Sequence, residues 1–224
     1  MIILVTGGSS GLGYEIVNAL SKNKDNYIYT TYRNNFPSIF KILDNVCLIK
    51  VNFEKEDSIK NLIDKVENLD CLINNYHSGY IFKHTSKFTS EEVLKSFSTN
   101  ISPLIDLNNH YIGMMKKNNC GLIISILSEL TDIPPSLGMG VYTAEKLYLK
   151  TISEHWSKEL LSYNVMSVNV SPKMLDTDFN SSIDRRYLDI IKKQGGFSKM
   201  EDIVKLIEKI TFNPHSFNGK NLIV

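Results

Sequence analysis

Apolar residues fall along this chain in two alternating textures. Short, nearly unbroken apolar or β-branched runs occupy Ile2-Ile3-Leu4-Val5, Tyr27-Ile28-Tyr29-Thr30-Thr31, Val46 to Val51, Leu69 to Asn75, Gly121 to Ser128, Val165 to Val170 and Phe217 to Val224. Runs of this length, rich in strand formers and with little polar alternation, suit strands buried on both faces. Between them the apolar positions recur at helical spacing: Ile59, Leu62, Ile63 and Val66; Val93, Leu94, Phe97, Ile101, Leu104 and Ile105; Leu147, Leu149, Ile152, Trp156 and Leu160; Met200, Ile203, Val204, Ile207 and Ile210. Strand and helix patterns that alternate in this way predict an α/β fold, a doubly wound parallel sheet of about seven strands with helices on both faces. No linker-like tract or internal repeat interrupts residues 1–224, which favours a single domain.

The punctuation sharpens this picture. Thr89-Ser90-Glu91-Glu92 is a helix-start signal, and Pro103 falls inside the apolar pattern that follows. Proline has no N–H to offer the Thr99 carbonyl, so the helix is expected to distort beside Asn100.

The first strand runs straight into Thr6-Gly7-Gly8-Ser9-Ser10-Gly11-Leu12-Gly13 and then a helical segment. Glycines there allow positive φ and close approach, and a helix N-terminus favours an anion; the expected anion is a pyrophosphate. Tyr14 follows Gly13, so the Lys-Ser/Thr ending of an ATP-binding Walker loop is missing. The end of the second strand, Tyr32-Arg33-Asn34-Asn35, has no acid to bind a ribose 2′-hydroxyl, but Arg33 suits a 2′-phosphate. NADP(H) is therefore favoured over NAD(H).

Charge and cysteine usage narrow the class. With 25 basic and 24 acidic residues there is no electrostatic footprint for nucleic acid or an anionic membrane. No apolar segment approaches the roughly 20 residues of a membrane span, and Met1 opens onto a strand without a charged leader, so a cytoplasmic location is expected. Cys47, Cys71 and Cys120, an odd number without C-x-x-C spacing, read as buried thiols in a reducing compartment, and no metal site is assigned.

Taken in order, the T-G-x-x-x-G-x-G loop, Asn74-Asn75, Asn100, Ser128 at a strand end, the Tyr142-x-x-x-Lys146 pair and Pro172 with Thr177 resemble the short-chain dehydrogenase/reductases over essentially the whole chain. A four-residue spacing already puts Tyr142 and Lys146 on one helical face. The resemblance implies a Rossmann-like fold and hydride transfer between NADP(H) and a carbonyl or hydroxyl carbon of a small molecule. It implies Ser128, Tyr142, Lys146 and Asn100 as the catalytic set. It also implies a cofactor site of Gly7, Ser9, Ser10, Gly11, Leu12, Gly13, Arg33, Asn52, Phe53, Asn74, Tyr142, Lys146, Pro172 and Thr177. Residues 178–197, less patterned and charged at their ends, would be a substrate lid. The helical stretches around 90–117 and 142–161 would pair copies into a homodimer or homotetramer.

Three residues depart from the family pattern. Tyr76 and His77 replace a small Ala-Gly pair, and Lys173 replaces a glycine. Their side chains are expected to point outward and line the substrate entrance, where Lys173 would attract an anionic group. The competing reading is a non-catalytic NADP(H)-binding sensor or scaffold that kept the fold. An extended-branch sugar-nucleotide epimerase needs a larger carboxyl-terminal domain than this length supplies.

Overall fold

The structure is a computed structural model that describes residues 1–134, 136–181, 183, 185–193 and 196–224. Seven parallel strands, β1 (Ile2–Val5), β2 (Tyr27–Tyr32), β3 (Val46–Lys50), β4 (Cys71–Asn74), β5 (Gly121–Ile126), β6 (Val165–Ser171) and β7 (Asn221–Ile223), form one sheet in the order β3-β2-β1-β4-β5-β6-β7. The chain winds outward from β1 to β3, then restarts beside β1 at β4 and winds the other way. That reversal opens a crevice beyond the carboxyl ends of β1 and β4, where such sheets bind ligands.

Alternation along each strand divides the core between two faces. Ile3 and Val5 of β1 join Leu12, Ile16, Val17 and Leu20 of α1 (Gly11–Leu20) and Ile203, Ile207 and Ile210 of α7 (Met200–Phe212). Leu4 faces the other way, toward Leu62 of α2 (Glu56–Lys65), Leu107, Tyr111 and Met115 of α4 (Ser102–Asn118), and Trp156 of α5 (Gly140–Glu159). The period-two pleat of a strand makes this division unavoidable.

The expected helix distortion at Asn100 is a complete break. The helix α3 (Ser90–Asn100) ends there and α4 restarts at Ser102, with Pro103 in its first turn. The first turn is where a missing N–H costs nothing, so the proline is accommodated by dividing the helix. The Thr89–Glu92 capping box forms as its residues suggest.

Elsewhere the sequence patterns run slightly long. The last strand is confined to Asn221–Ile223, because Pro214–Phe217 forms a 3-10 turn and Gly219 takes a φ of 73°. On α5, Leu149 and Trp156 are buried while Leu147 and Tyr148 are exposed, so only part of its apolar content packs on the sheet. The thiols do not share one environment: Cys71 is buried, Cys47 intermediate and Cys120 exposed between α4 and β5. Within 178–197 lie a 3-10 turn at Asp178–Asn180 and the helix α6 (Arg185–Lys193); residues 182, 184, 194 and 195 are outside the described residues. Among the described residues no helix is long and apolar enough to cross a membrane.

Candidate active site

The crevice is a cavity of about 880 Å³ that runs from the glycine loop, past the end of β4, to the start of α5. At one end Gly7 and Gly11 take positive φ (69° and 52°). A Cβ on Gly13 would collide with the Gly7 carbonyl oxygen, and one on Gly8 with the Thr30 hydroxyl, so the loop is as tight as its backbone allows. Its ends are clasped by side chains: the Asn75 amide donates to the carbonyls of Thr6 and Gly7 at 3.0 and 3.1 Å, and Thr31 accepts from the Gly7 N–H at 2.8 Å. The helix that follows has no side-chain cap from Ser10 and no acid in its first turn. Its leading amides and positive dipole end are left facing the cleft, which suits a pyrophosphate.

Ser9, Ser10, Gly11, Leu12 and Gly13 line this end with Gly7, and Thr177 closes over Gly11 from the opposite side. Arg33 and Phe53 line the cavity at the ends of β2 and β3. The Arg33 guanidinium is half exposed and pairs with Glu54 at 3.2 Å; Lys95 reaches the same carboxylate at 3.5 Å. Tyr76 is turned toward this end and stacks on Phe53, ring centroids 4.1 Å apart.

Three expected cofactor or catalytic side chains are absent from the cavity lining. Asn74 exchanges two hydrogen bonds of 3.1 Å with buried Asn108 of α4; the lining residue is its neighbour Asn75. Strand alternation explains this: Asn74 lies on the same face as Leu72, toward α4. Asn52 accepts from the Glu54 N–H at 3.1 Å and shapes the turn after β3. Asn100 is buried behind the wall, accepting from the Ser78 N–H at 2.8 Å and donating to Glu145 at 3.4 Å.

At the other end Ser128, Tyr142, Lys146 and Pro172 come together from β5, α5 and the loop after β6. Burial raises the Tyr142 phenol above the usual tyrosine range, and the nearby Ser128 hydroxyl draws it partly back. Lys146 is only 4% exposed; its ammonium donates to the Ile126 carbonyl at 2.9 Å and lies 5.7 Å from the Tyr142 ring centroid. Burial presses Lys146 down to about 8, against an opposing pull from Glu145. Desolvation, rather than Lys146, dominates the Tyr142 phenol.

A sequence model described as short chain dehydrogenase matches residues 1–188. The chain belongs to the short-chain dehydrogenase family. Among curated relatives, the tropinone reductase homolog At1g07440 of Arabidopsis thaliana is 25% identical over 92% of this chain and 82% of its own length. A 3-oxoacyl-(acyl-carrier-protein) reductase of Rickettsia prowazekii is 25% identical over 99% of this chain and 93% of its own. Among solved structures, 4-hydroxyisoleucine dehydrogenase complexed with NADH superposes with a TM-score of 0.88 at 18% identity, covering 100% of this chain and 96% of that one. Serine dehydrogenase complexed with NADP+ does so with a TM-score of 0.86 at 22% identity, covering 100% and 94%. These structures share the fold, and their complexes include both forms of the nicotinamide dinucleotide. This chain is accordingly a short-chain dehydrogenase-type oxidoreductase.

Of the three departures from the family pattern, Tyr76 and His77 do not point outward. The side chain of His77 is 4% exposed and lies 3.0 Å from Glu145, itself 1% exposed. The two bulky residues leave the cleft open because one lies against Phe53 and the other against Glu145. Glu145, Tyr80 and Phe179 were not singled out from sequence; Tyr80 and Phe179 line the cavity with His77 and Tyr142 as an aromatic wall, centroids 5.1 to 6.2 Å apart. Lys173 shares its part of the cleft with Glu129, whose carboxyl is raised by burial and drawn back by the Lys173 charge.

Proposed function

We propose that this short-chain dehydrogenase is an NADP(H)-dependent reductase or dehydrogenase acting on a carbonyl or hydroxyl carbon of a small molecule. The observation that carries this is the convergence of Ser128, Tyr142 and Lys146, from separate segments, on the wall of a cleft whose far end is an uncapped helix N-terminus behind a glycine loop. The tight loop, the free leading amides of α1 and the cation at Arg33 fit a phosphorylated dinucleotide. Gly7 to Gly13 would hold its pyrophosphate, Arg33 a 2′-phosphate, Phe53 its adenine end, and Lys146, Pro172 and Thr177 its nicotinamide end. When bound, the dinucleotide supplies or accepts the hydride.

The protein's own residues do the rest. Ser128 orients the substrate oxygen, and Tyr142 gives that oxygen its proton as negative charge develops on it during reduction. Lys146, fixed by the Ile126 carbonyl, faces the tyrosinate that remains and stabilises it. Asn100 supports the wall from behind through Ser78 and Glu145. The described residues of the stretch 178–197 serve as a lid, a role supported by Phe179, Asn180 and Ile183, which face the cavity. The aromatic wall suits a carbonyl compound with an apolar body.

The test is NADPH consumption against acetophenone, cyclohexanone and ethyl acetoacetate, with NADH in parallel. Turnover lost in Tyr142→Phe with NADPH affinity unchanged is the expected result. Tight NADPH binding with no turnover on any carbonyl would favour the sensor instead. We further propose a homodimer or homotetramer through the exposed Leu94, Leu147 and Tyr148; light scattering that finds a monomer at micromolar concentration would refute it.

A further inference from the structure

The most unusual feature of the cleft wall lies behind it. Glu145, between the two motif residues of α5, accepts from the Ser96 hydroxyl at 2.6 Å, from the Asn100 amide at 3.4 Å and from His77 Nε2 at 3.0 Å. The tautomer follows from the other ring nitrogen: His77 Nδ1 accepts the Gly79 N–H at 3.2 Å, so the proton resides on Nε2 and the imidazole is neutral. Burial also lowers the histidine below its ordinary range. The carboxylate thus keeps its negative charge inside the protein, one residue from Lys146, with donors on three of its sides. A buried charge without a partner is expensive. The Glu145 charge acts through space on the Lys146 ammonium, whose pKa it pulls upward while the ammonium itself donates to the Ile126 carbonyl.

We propose that His77 and Glu145 are positioning residues: Glu145 supplies the buried negative charge that retains the Lys146 ammonium beside Tyr142, and His77 caps that carboxylate while bracing the Tyr142 ring edge-on. This rests on the hydride-transfer reading above, and it explains why the loop after β4 carries a histidine where the family pattern has a glycine. The His77 ring meets Tyr142 at 5.1 Å and 71°, and Phe179 at 5.7 Å, so the imidazole ties the lid-side aromatics to the helix that bears the Tyr–Lys pair.

Charge relations around the pair are simple. From α5 it meets Tyr142 and Lys146, and Tyr80 of the same loop faces Tyr142 rather than the pair; α3 presents the neutral Ser96 and Asn100, and Ser128 beyond β5 is neutral too. The nearby acids and bases of α3 are engaged elsewhere, Glu92 with Lys83 and Lys95 with Glu54. Removing the Glu145 charge must therefore lower the proton affinity of Lys146 and Tyr142 together.

The experiment uses the full chain without cofactor, following Lys146 by NMR of labelled lysine, with Lys146→Arg to assign its signal. In Glu145→Gln the Lys146 titration midpoint is expected to fall by about one unit or more. The falling limb of the carbonyl-reduction pH profile should move to lower pH by the same amount. An unchanged midpoint would overturn the proposal. His77 is tested separately, so the proposal stays exposed if Glu145→Gln does not fold. His77→Ala should cut kcat on the order of tenfold at unchanged KM for NADPH, and His77→Gln, whose amide can still donate to Glu145, should restore most of it. Wild-type kcat in His77→Ala, or no rescue by His77→Gln, would refute the bracing role. The lysine titration needs no turnover, so its outcome is independent of whether Tyr142→Phe confirms the reductase.

Discussion

The two ends of the cleft are built by opposite means. The dinucleotide end is made of backbone: glycines at positive φ, amides at the start of α1, and carbonyls clasped by Asn75, all contributed by or anchored to one short β1–α1 segment. The reaction end is made of side chains from the chain beyond β4, β5 and β6 and from α5, in contact only because the sheet brings the carboxyl ends of its strands together. A backbone site is insensitive to most side-chain changes and intolerant of any added Cβ. A side-chain site can be re-engineered pair by pair, as His77 and Glu145 illustrate.

The largest expected effect lies at the reaction end. Tyr142→Phe removes one hydroxyl and should lower kcat by about a thousandfold, within the usual range for a general acid, with NADPH affinity held within twofold as read by fluorescence titration. Comparable loss of affinity would show that the two ends are not separable. The converse change is Gly13→Ala, whose Cβ meets the Gly7 carbonyl and the Asn75 amide. It should cost about 1–3 kcal/mol in urea unfolding, as overpacking generally does, and abolish NADPH binding. A variant of wild-type stability that still binds NADPH would refute the backbone account.

A smaller effect tests the desolvated lysine. Lys146 has a folded value of about 8, below its value in the unfolded chain. As pH rises from about 8 toward 10, the unfolded chain still holds this proton and the folded protein has released it, so stability rises with pH in that window, by roughly 2 kcal/mol at most. Above about pH 10 the sign reverses, because Tyr142 and Tyr111 keep their protons in the fold while unfolded phenols lose theirs. Urea titrations across this range should show the maximum, and Lys146→Met should lack its rising limb. The smallest effect is at the dinucleotide end: Arg33→Ala should weaken NADPH about tenfold and leave NADH unchanged, since one exposed charge pair is involved. Glu54→Gln, which frees Arg33 from its ion pair, should tighten NADPH slightly. Equal losses for both dinucleotides in Arg33→Ala would remove the basis for NADP(H).

Much of this protein was determined by local sequence. Solid apolar runs alternating with helical spacing fixed the strands, helices and winding, because a strand buried on both faces and an amphipathic helix leave unmistakable and different periods. The glycine loop and the Tyr142–Lys146 spacing were legible for the same reason: each is a local geometry, one of backbone conformation and one of a helical turn. Pro103 located a helix break to within a residue or two. What the tertiary structure decided was every relation between side chains distant in sequence. Alternation within β4 sent Asn74 to Asn108 and left Asn75 to face the cleft. His77 and Glu145, 68 positions apart, became a buried pair, and Arg33 met Glu54. Such pairings are settled by the packing of whole elements on the sheet, which brings together groups whose neighbours along the chain carry no trace of the contact.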